Sequence, residues 1–243
     1  MSNMSNIIID SLKIILFVFL VVVLIVPVII KIAHHVNALD IPNERKVHKF
    51  PMPRLGGLAI FIGFLVGYMV FCKPTVQMNS ILIGSFFIIL LGTFDDIKPL
   101  TPLIKFGGQL LAAIIVVYYG NIVMQDISAF GIYIDFGIFA GPITILFIAA
   151  VINCMNLIDG LDGLAGGIAT IFFITIAIIS NIYGLYNGLD ASLTLIMIGS
   201  TLGFLLYNFH PAKIFMGDSG SMFLGYIIGI VALLGYKTIV LTL

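Results

Sequence analysis

Asparagine and aspartate recur at every third position from Asn153 to Asp162 (Asn153, Asn156, Asp159, Asp162), inside the run NCMNLIDGLDGLAG. Two carboxylates and two carboxamides in ten residues suit a polar or charged ligand held at the edge of a membrane, because polar groups within a membrane protein must be satisfied by something. On an ideal helix each step of three falls about 60° short of a full turn, so the four side chains sweep half the circumference. They converge on one ligand only if the helix unwinds, and Gly160, Gly163, Gly166 and Gly167 supply that freedom. Backbone amides exposed near the start of the following helix suit a phosphate or a ligand carbonyl. The plainer alternative is an ordinary polar loop.

Three further segments carry chemistry-bearing residues. GTFDDIKPLTP places Asp95 and Asp96 side by side. Adjacent carboxylates repel, which favours a nearby cation or lysine, or else raises one pKa until that group can act as a base. A solvated helix end accounts for the pair equally well. NFHPAKIFMGDSGSMFLG puts Asp218 between glycines, with His210 and Lys213 close in sequence. One carboxylate completed by water and substrate phosphates is the usual way Mg²⁺ is held. A helix N-cap made by Asp218 or Ser219 competes with that reading and is compatible with it. Finally, ALDIPNERKVHKFPMPRLGG gathers Arg45, Lys46, His48, Lys49 and Arg54 between prolines and a Gly-Gly that deny it a long helix. These cations suit phosphoryl oxygens, or simply a basic anchor on anionic lipid.

The elements that must position these residues are membrane helices. The chain has 243 residues, 61% hydrophobic and 9% charged, with a mean hydropathy of +1.23. A soluble globular domain carries about a quarter charged residues and is excluded. Spans of about 20 apolar residues fall at 7–33, 56–72, 79–94, 104–120, 139–153, 168–183, 191–207 and 221–241. The fold class is therefore an all-α polytopic bundle of about eight transmembrane helices, in one domain over 1–243. The third and fifth spans are short and are expected to tilt little or to borrow residues from their flanks. The run Ile14 to Ile32 is too long for a signal-peptide core and reads as a retained helix. Gly63/Gly67, Gly199/Gly203 and Gly225/Gly229 are small-xxx-small pairs that serve bundle packing.

Lysine and arginine set the orientation. Lys31, Arg45, Lys46, Lys49, Arg54, Lys98, Lys105 and Lys213 fall on one side, against Lys13, Lys73 and Lys237 on the other, which places the first group in the cytoplasm. All four polar connectors then share the cytoplasmic face, and one site there explains them together. On the other side, GIYIDFG suits a small hairpin turning near Gly131. Cys72 and Cys154 fall at opposite faces, so no disulfide joins them. With a net charge of zero, nucleic acid is not an expected partner. A transporter would need its acids near the midplane, and a catalytically silent membrane scaffold is the remaining alternative.

In order and combination, DIPNERKVHKFPMPRLGG, GTFDDIKPLTP, NCMNLIDGLDGLAGG and FMGDSGS resemble the motifs of the polyprenyl-phosphate N-acetylhexosamine-1-phosphate transferases, and they span most of the chain. The text is most similar to the bacterial branch that starts wall teichoic acid and related glycopolymers. The resemblance implies transfer of N-acetylglucosamine 1-phosphate from UDP-GlcNAc to undecaprenyl phosphate, releasing UMP, with Mg²⁺ as cofactor and Mn²⁺ as its substitute. It implies that Asp218 and Asn156 hold the metal. It assigns the reacting centre to Asp95, Asp96, Asp159 and Asp162: Asp95 to deprotonate or orient the lipid phosphate, Asp96 to support it, and Asp159 and Asp162 to bind nucleotide or order the loop. It gives substrate binding to Lys46, His48, Arg54, Asn153 and Gly160. A UDP-sugar, undecaprenyl phosphate and membrane lipid are the implied partners, and a homodimer is compatible. Family members usually continue for two or more helices with a His-rich, basic cytoplasmic loop. The chain is accordingly expected to be a fragment, a shortened homologue or one completed by a partner, with weak or no transfer by residues 1–243 alone.

Overall fold

The structure, a computed structural model, describes residues 2–42, 50–129, 132–183 and 188–242. Among these residues are eight α-helices: α1 (Ser2–His35), α2 (Gly56–Phe71), α3 (Val76–Ile97), α4 (Pro102–Ile114), α5 (Ala140–Ile158), α6 (Leu164–Ile182), α7 (Leu189–Asn208) and α8 (Gly217–Thr242). Seven helical stretches are long and apolar enough to cross a bilayer, while α2, at 16 residues, is shorter. The chain is a multi-pass, all-α membrane bundle, as its composition requires.

Helix boundaries follow local chemistry. Thr75 caps α3 by accepting from the Met78 amide at 3.1 Å. Pro102 opens α4 at a position where its missing N–H is not needed, and that helix continues through a π turn at Ile115–Tyr119. The two spans that look short in sequence do borrow from their flanks. α3 is 22 residues long, and a 3₁₀ turn at Gly137–Phe139 extends α5 so that the stretch Gly137–Ile158 is also 22.

α8 runs through the middle, packed against α2, α3, α5, α6 and α7. Its Met222, Phe223, Leu224, Tyr226, Ile227, Ile230 and Val231 are all buried. Phe223 meets Phe61 and Phe64 edge to face, with ring centroids 5.5 and 5.4 Å apart. α1 lies at the periphery. Val18, Val22, Val26 and Ile29 face the bundle, whereas Leu12, Leu16, Leu20, Leu24 and Val28 form an outward stripe at helical spacing. Such a stripe would be a liability in water and is ordinary against lipid.

The glycine pairs pack helices closely. A Cβ on Gly199 or Gly203 would strike the α1 backbone at Ile15 and Phe19, one on Gly63 or Gly67 would meet α1 and α7, and one on Gly225 would meet α5 at Ile152. Cys72 follows α2 and Cys154 lies in the last turns of α5, and both are free thiols. Two short antiparallel ladders complete the fold. β1 (Leu39–Asp40) pairs with β2 (Met52–Pro53), and β3 (Asp126–Ala129) pairs with β4 (Ile132–Asp135) in the register Ala129↔Ile132. The latter is the expected hairpin, although Gly131 itself lies outside the described residues. The β1–β2 ladder has no counterpart in the sequence reading, because two-residue strands carry no detectable period.

Candidate functional site

The four polar connectors meet at one end of the bundle, where backbone hydrogen bonds fix their relation. The Arg54 amide donates to Ala38 O at 3.1 Å, the Phe215 amide to Pro53 O at 2.7 Å, and the Gly56 and Gly57 amides to Phe215 O and Met216 O at 3.0 and 2.9 Å. The first connector is thus stitched to the segment before α8, which sets Arg54 beside the start of that helix. Asn208, buried at the end of α7, accepts from the Gly163 amide at 3.1 Å and donates to Ile214 O at 2.9 Å. It ties the α5–α6 turn to the α7–α8 connector.

The Asn/Asp run behaves as its spacing demands, with one difference. α5 stays helical through Ile158 and unwinds only at Asp159, and Gly163 then takes φ +72° to start α6. Asn156, Asp159, Gly160 and Asp162 therefore reach one cleft. Asn153 remains on the intact helix and turns away, donating to Gln109 Oε1 and to Ala149 O, each at 2.7 Å. Four-way convergence would require unwinding to begin one turn earlier.

The cleft encloses about 840 Å³ and is also lined by Asp40, Phe50, Arg54, Asn208, His210, Phe215 and Asp218. Two further cavities, of about 510 and 720 Å³, contain none of the expected site residues. Around Arg54 and Asp218, which line the cleft, acids and bases interlock. Arg54 lies 3.3 Å from Asp96 Oδ1 and 3.7 Å from both Asp40 Oδ1 and Asp218 Oδ1. Lys105 Nζ donates to Asp218 Oδ2 at 2.8 Å and to Asp95 Oδ2 at 3.2 Å. Asp95 Oδ1 accepts from the Leu100 amide at 2.7 Å.

The two adjacent carboxylates are separated by role. Asp96 is buried and receives the Asp218 amide at 2.8 Å, the Ser219 amide at 3.0 Å and the Ser219 hydroxyl at 2.7 Å. It caps α8 from another helix, with the favourable charge for a helix N-terminus. The capping role that the sequence offered to Asp218 or Ser219 is thus filled by Asp96. Asp218 keeps its carboxylate for Lys105, Arg54 and the cleft.

Asp159 stands half-buried where the chain leaves α5. Loss of solvent pushes its carboxyl up, the nearby Asp218 charge adds to this, and Arg54 opposes it, leaving a pKa of about 7. Asp162 orders the connector opposite by accepting from the Ala212 amide at 3.1 Å and pairing with His210 Nδ1 at 3.0 Å. Asn156 donates to Ser221 Oγ at 2.9 Å, one turn beyond Asp218 on α8. Lys46 and His48 lie outside the described residues.

The donor set bears on the expected metal. Among the described residues no three His, Cys, Asp or Glu side chains form a metal cage. One oxygen each of Asp95 and Asp218 does converge on a single cation, the Lys105 ammonium, and Asn156 lines the same cleft as Asp218. Two carboxylate oxygens that already share a cation, one of them from a residue lining the cleft, fit Mg²⁺, which is commonly held by one or two carboxylates with water and phosphate completing the shell.

Sequence reasoning missed Lys105 and Gln109 as site residues. Both lie on one face of α4, four residues apart. Gln109, 3% exposed, accepts from Asn153 and donates to Met222 Sδ at 3.4 Å. A buried carboxamide in an apolar helix was the available signal. For Lys105 there was none, because a lysine near a cytoplasmic connector is expected on topology alone.

Acids, amides and the Arg54 guanidinium thus share a cleft at one end of a membrane bundle, with Lys105 bonded to one of the lining acids, Asp218, which defines a multi-pass membrane protein with a charged polar cleft. Within that class, the chain belongs to glycosyl transferase family 4, whose sequence model matches residues 78–236. It is 47% identical over 225 residues to the probable undecaprenyl-phosphate N-acetylglucosaminyl 1-phosphate transferase of Bacillus subtilis (strain 168), covering 91% of this chain and 62% of that protein. It is 35% identical over 213 residues to the decaprenyl-phosphate N-acetylglucosaminephosphotransferase of Mycolicibacterium smegmatis, covering 79% and 52%. The phospho-N-acetylmuramoyl-pentapeptide-transferase of Staphylococcus carnosus is 30% identical over 238 residues, covering 89% and 74%. The chain thus spans less than two thirds of the first two relatives' length.

Proposed function

We propose that this chain carries the reacting centre for transfer of N-acetylglucosamine 1-phosphate from UDP-GlcNAc to undecaprenyl phosphate, releasing UMP, as the first membrane step of teichoic acid or a related envelope glycopolymer. The observation that carries the reading is the assembly of Asp95, Asp159 and Asp218 with Arg54 and Lys105 at one end of the bundle. A phosphate oxygen of the lipid forms a bond to the β-phosphorus of the nucleotide sugar. The bond from that phosphorus to the bridging oxygen breaks, and UMP leaves with the electron pair. Catalysis of such a step is mainly positioning and charge neutralisation. Arg54 and Lys105 supply fixed positive charge where two anions must approach each other.

Asp218, with Asn156 beside it and Asp95 across Lys105, would hold Mg²⁺ or Mn²⁺, which supplies Lewis-acid neutralisation of the diphosphate when bound. A phosphate monoester has its second pKa near 6, so the lipid nucleophile is largely ionised at neutral pH. Asp95 is the carboxylate that would orient the lipid phosphate or take a remaining proton, while Asp159 lines the cleft with Asp218. Asp162 holds the α7–α8 connector against the α5–α6 turn, while Gly160 leaves room for the nucleotide.

Orientation follows the cation asymmetry. Lys31, Arg54, Lys98, Lys105 and Lys213 belong to the site end, and this excess of cations supports a cleft that opens to the cytoplasm, where it would meet a soluble UDP-sugar and a lipid phosphate in the inner leaflet.

The test is radiolabel transfer from UDP-GlcNAc, UDP-GalNAc or UDP-MurNAc-pentapeptide to undecaprenyl phosphate in a full-length context. Preference for UDP-GlcNAc with UMP release supports the reading, and Asp218→Ala then abolishes both turnover and its metal dependence. Unchanged turnover in Asp218→Ala removes that residue from the centre, and failure with all three sugars overturns the reading.

A further inference from the structure

The cation between Asp95 and Asp218 belongs to the protein itself. Lys105 Nζ sits 2.8 Å from Asp218 Oδ2 and 3.2 Å from Asp95 Oδ2. The remaining oxygens are engaged elsewhere: Asp95 Oδ1 by the Leu100 amide at 2.7 Å, and Asp218 Oδ1 by Arg54 at 3.7 Å. The ammonium therefore occupies the position where both carboxylates present an oxygen to a common cation. One ammonium neutralises only one of two carboxylates, whereas a divalent ion neutralises both.

The two basic residues differ in their freedom to leave. Arg54 lies among Asp40, Asp96 and Asp218, and its backbone is bonded to Ala38. Lys105 has a flexible four-carbon stem, a side chain 26% exposed, and, among the described residues, carboxylate contacts only to the pair that a metal would claim.

We propose that Lys105 is the resident counter-ion of the Asp95–Asp218 pair, that a divalent cation must displace it, and that the freed ammonium then meets the diphosphate of the nucleotide sugar. The inference rests on the transferase reading for the identity of that diphosphate. Metal and nucleotide are thereby coupled: the metal releases the lysine, and the nucleotide gives the lysine a new partner. A ligand that stabilises the displaced state also tightens the metal, because coupling between two sites is reciprocal.

Two measurements on the purified chain in detergent test this without turnover. The first titrates Mn²⁺ by electron paramagnetic resonance. Lys105→Gln removes the competitor and tightens Mn²⁺ by about tenfold without nucleotide, and UDP tightens Mn²⁺ in the wild type more than in Lys105→Gln. The second follows acylation of Lys105 by an amine-reactive ester using mass spectrometry. Mg²⁺ raises the labelling rate several-fold, and UDP added with Mg²⁺ lowers it again. Equal or weaker Mn²⁺ binding by a folded Lys105→Gln overturns the proposal, as does a labelling rate indifferent to Mg²⁺. If Lys105→Gln fails to fold, labelling of the wild type decides alone. If the purified chain passes both measurements while none of the three UDP-sugars supports transfer in the full-length context, the transferase reading is refuted and the counter-ion role stands.

Discussion

Asp96 and Ser219 are joined twice: the carboxylate Oδ2 accepts the Ser219 amide at 3.0 Å and its hydroxyl at 2.7 Å. With the Asp218 amide on Oδ1 at 2.8 Å, the last turn of α3 supplies the N-cap of α8. This fixes the height of α8 relative to α3, and so decides where Asp218 stands relative to Asp95. Asp96→Ala leaves two amides and a hydroxyl without their acceptor, at a cost of about 1–3 kcal/mol per group left unsatisfied. The expected result is a clearly lower unfolding temperature in detergent for Asp96→Ala, with Asp96→Asn, which keeps one acceptor oxygen, in between. An Asp96→Ala protein as heat-stable as the wild type would show that the cap contributes nothing.

Asp159 gives the metal-free protein a pH dependence of definite sign. Its carboxyl stands at about 7 in the folded chain, against about 3.9 for an unperturbed aspartate. The folded state thus binds a proton more tightly than the unfolded one, and this contribution to stability is complete below the unfolded pKa and disappears as pH rises through about 7. Asp159→Asn should therefore flatten the decline between about pH 4 and 7, and should raise the unfolding temperature at pH 8 while changing little below about pH 4. Asp218→Asn, which removes the neighbouring charge, should shift the midpoint of the wild-type decline downward. Unfolding curves across that range, recorded with a chelator present, check both statements.

The eight helices were legible because the bilayer imposes a length and an apolarity that no other environment demands, so even the short third and fifth spans were placed to within their flanks. The gathering of four connectors at one end was legible for the same reason, since alternating spans sort connectors by face. What escaped the sequence was pairing across distance. Nothing near Asp96 marks it as the cap of a helix more than a hundred residues away, and nothing near Lys105 separates a counter-ion from a topological anchor. Asn153 was misplaced by a single turn of helix, because glycine freedom says that α5 unwinds without saying where. The structure puts the break at Asp159, after Asn153 has already found Gln109.

That Asn153–Gln109 pair joins α4 to α5 beneath the reacting centre, and Gln109 reaches α8 through Met222 Sδ. A carboxamide so enclosed is stabilising only while it is paired. Gln109→Leu removes the acceptor for the Asn153 side chain, which still has Ala149 O, so the cost falls near the low end of about 1–3 kcal/mol. Its effect on transfer should appear in kcat through the position of Lys105, one turn away on α4, with the KM for UDP-sugar little changed. Double substitution at Gln109 and Asn153 should cost less than the sum of the single changes, because the pair is one unit. Additive effects would show that the two amides act independently.

Gly160 and Gly217 border the same cleft, and they answer differently to one added methyl group. A Cβ on Gly217 would press on Arg54 O and on the Asp96 carboxylate, and φ there is +72°, a conformation that costs an L-residue roughly 1–2 kcal/mol. Gly217→Ala should therefore lower the unfolding temperature and disturb Asp96 and Asp218 together. A Cβ on Gly160 meets nothing within 4 Å, so Gly160→Ala should fold with unchanged thermal stability. Its methyl group does enlarge a residue that lines the cleft. If the nucleotide sugar lies against that turn, Gly160→Ala raises the KM for UDP-sugar and leaves the lipid phosphate KM unchanged. The comparison separates architecture from contact, because a stable Gly160→Ala protein with wild-type KM for both substrates would exclude this turn from the nucleotide's bed.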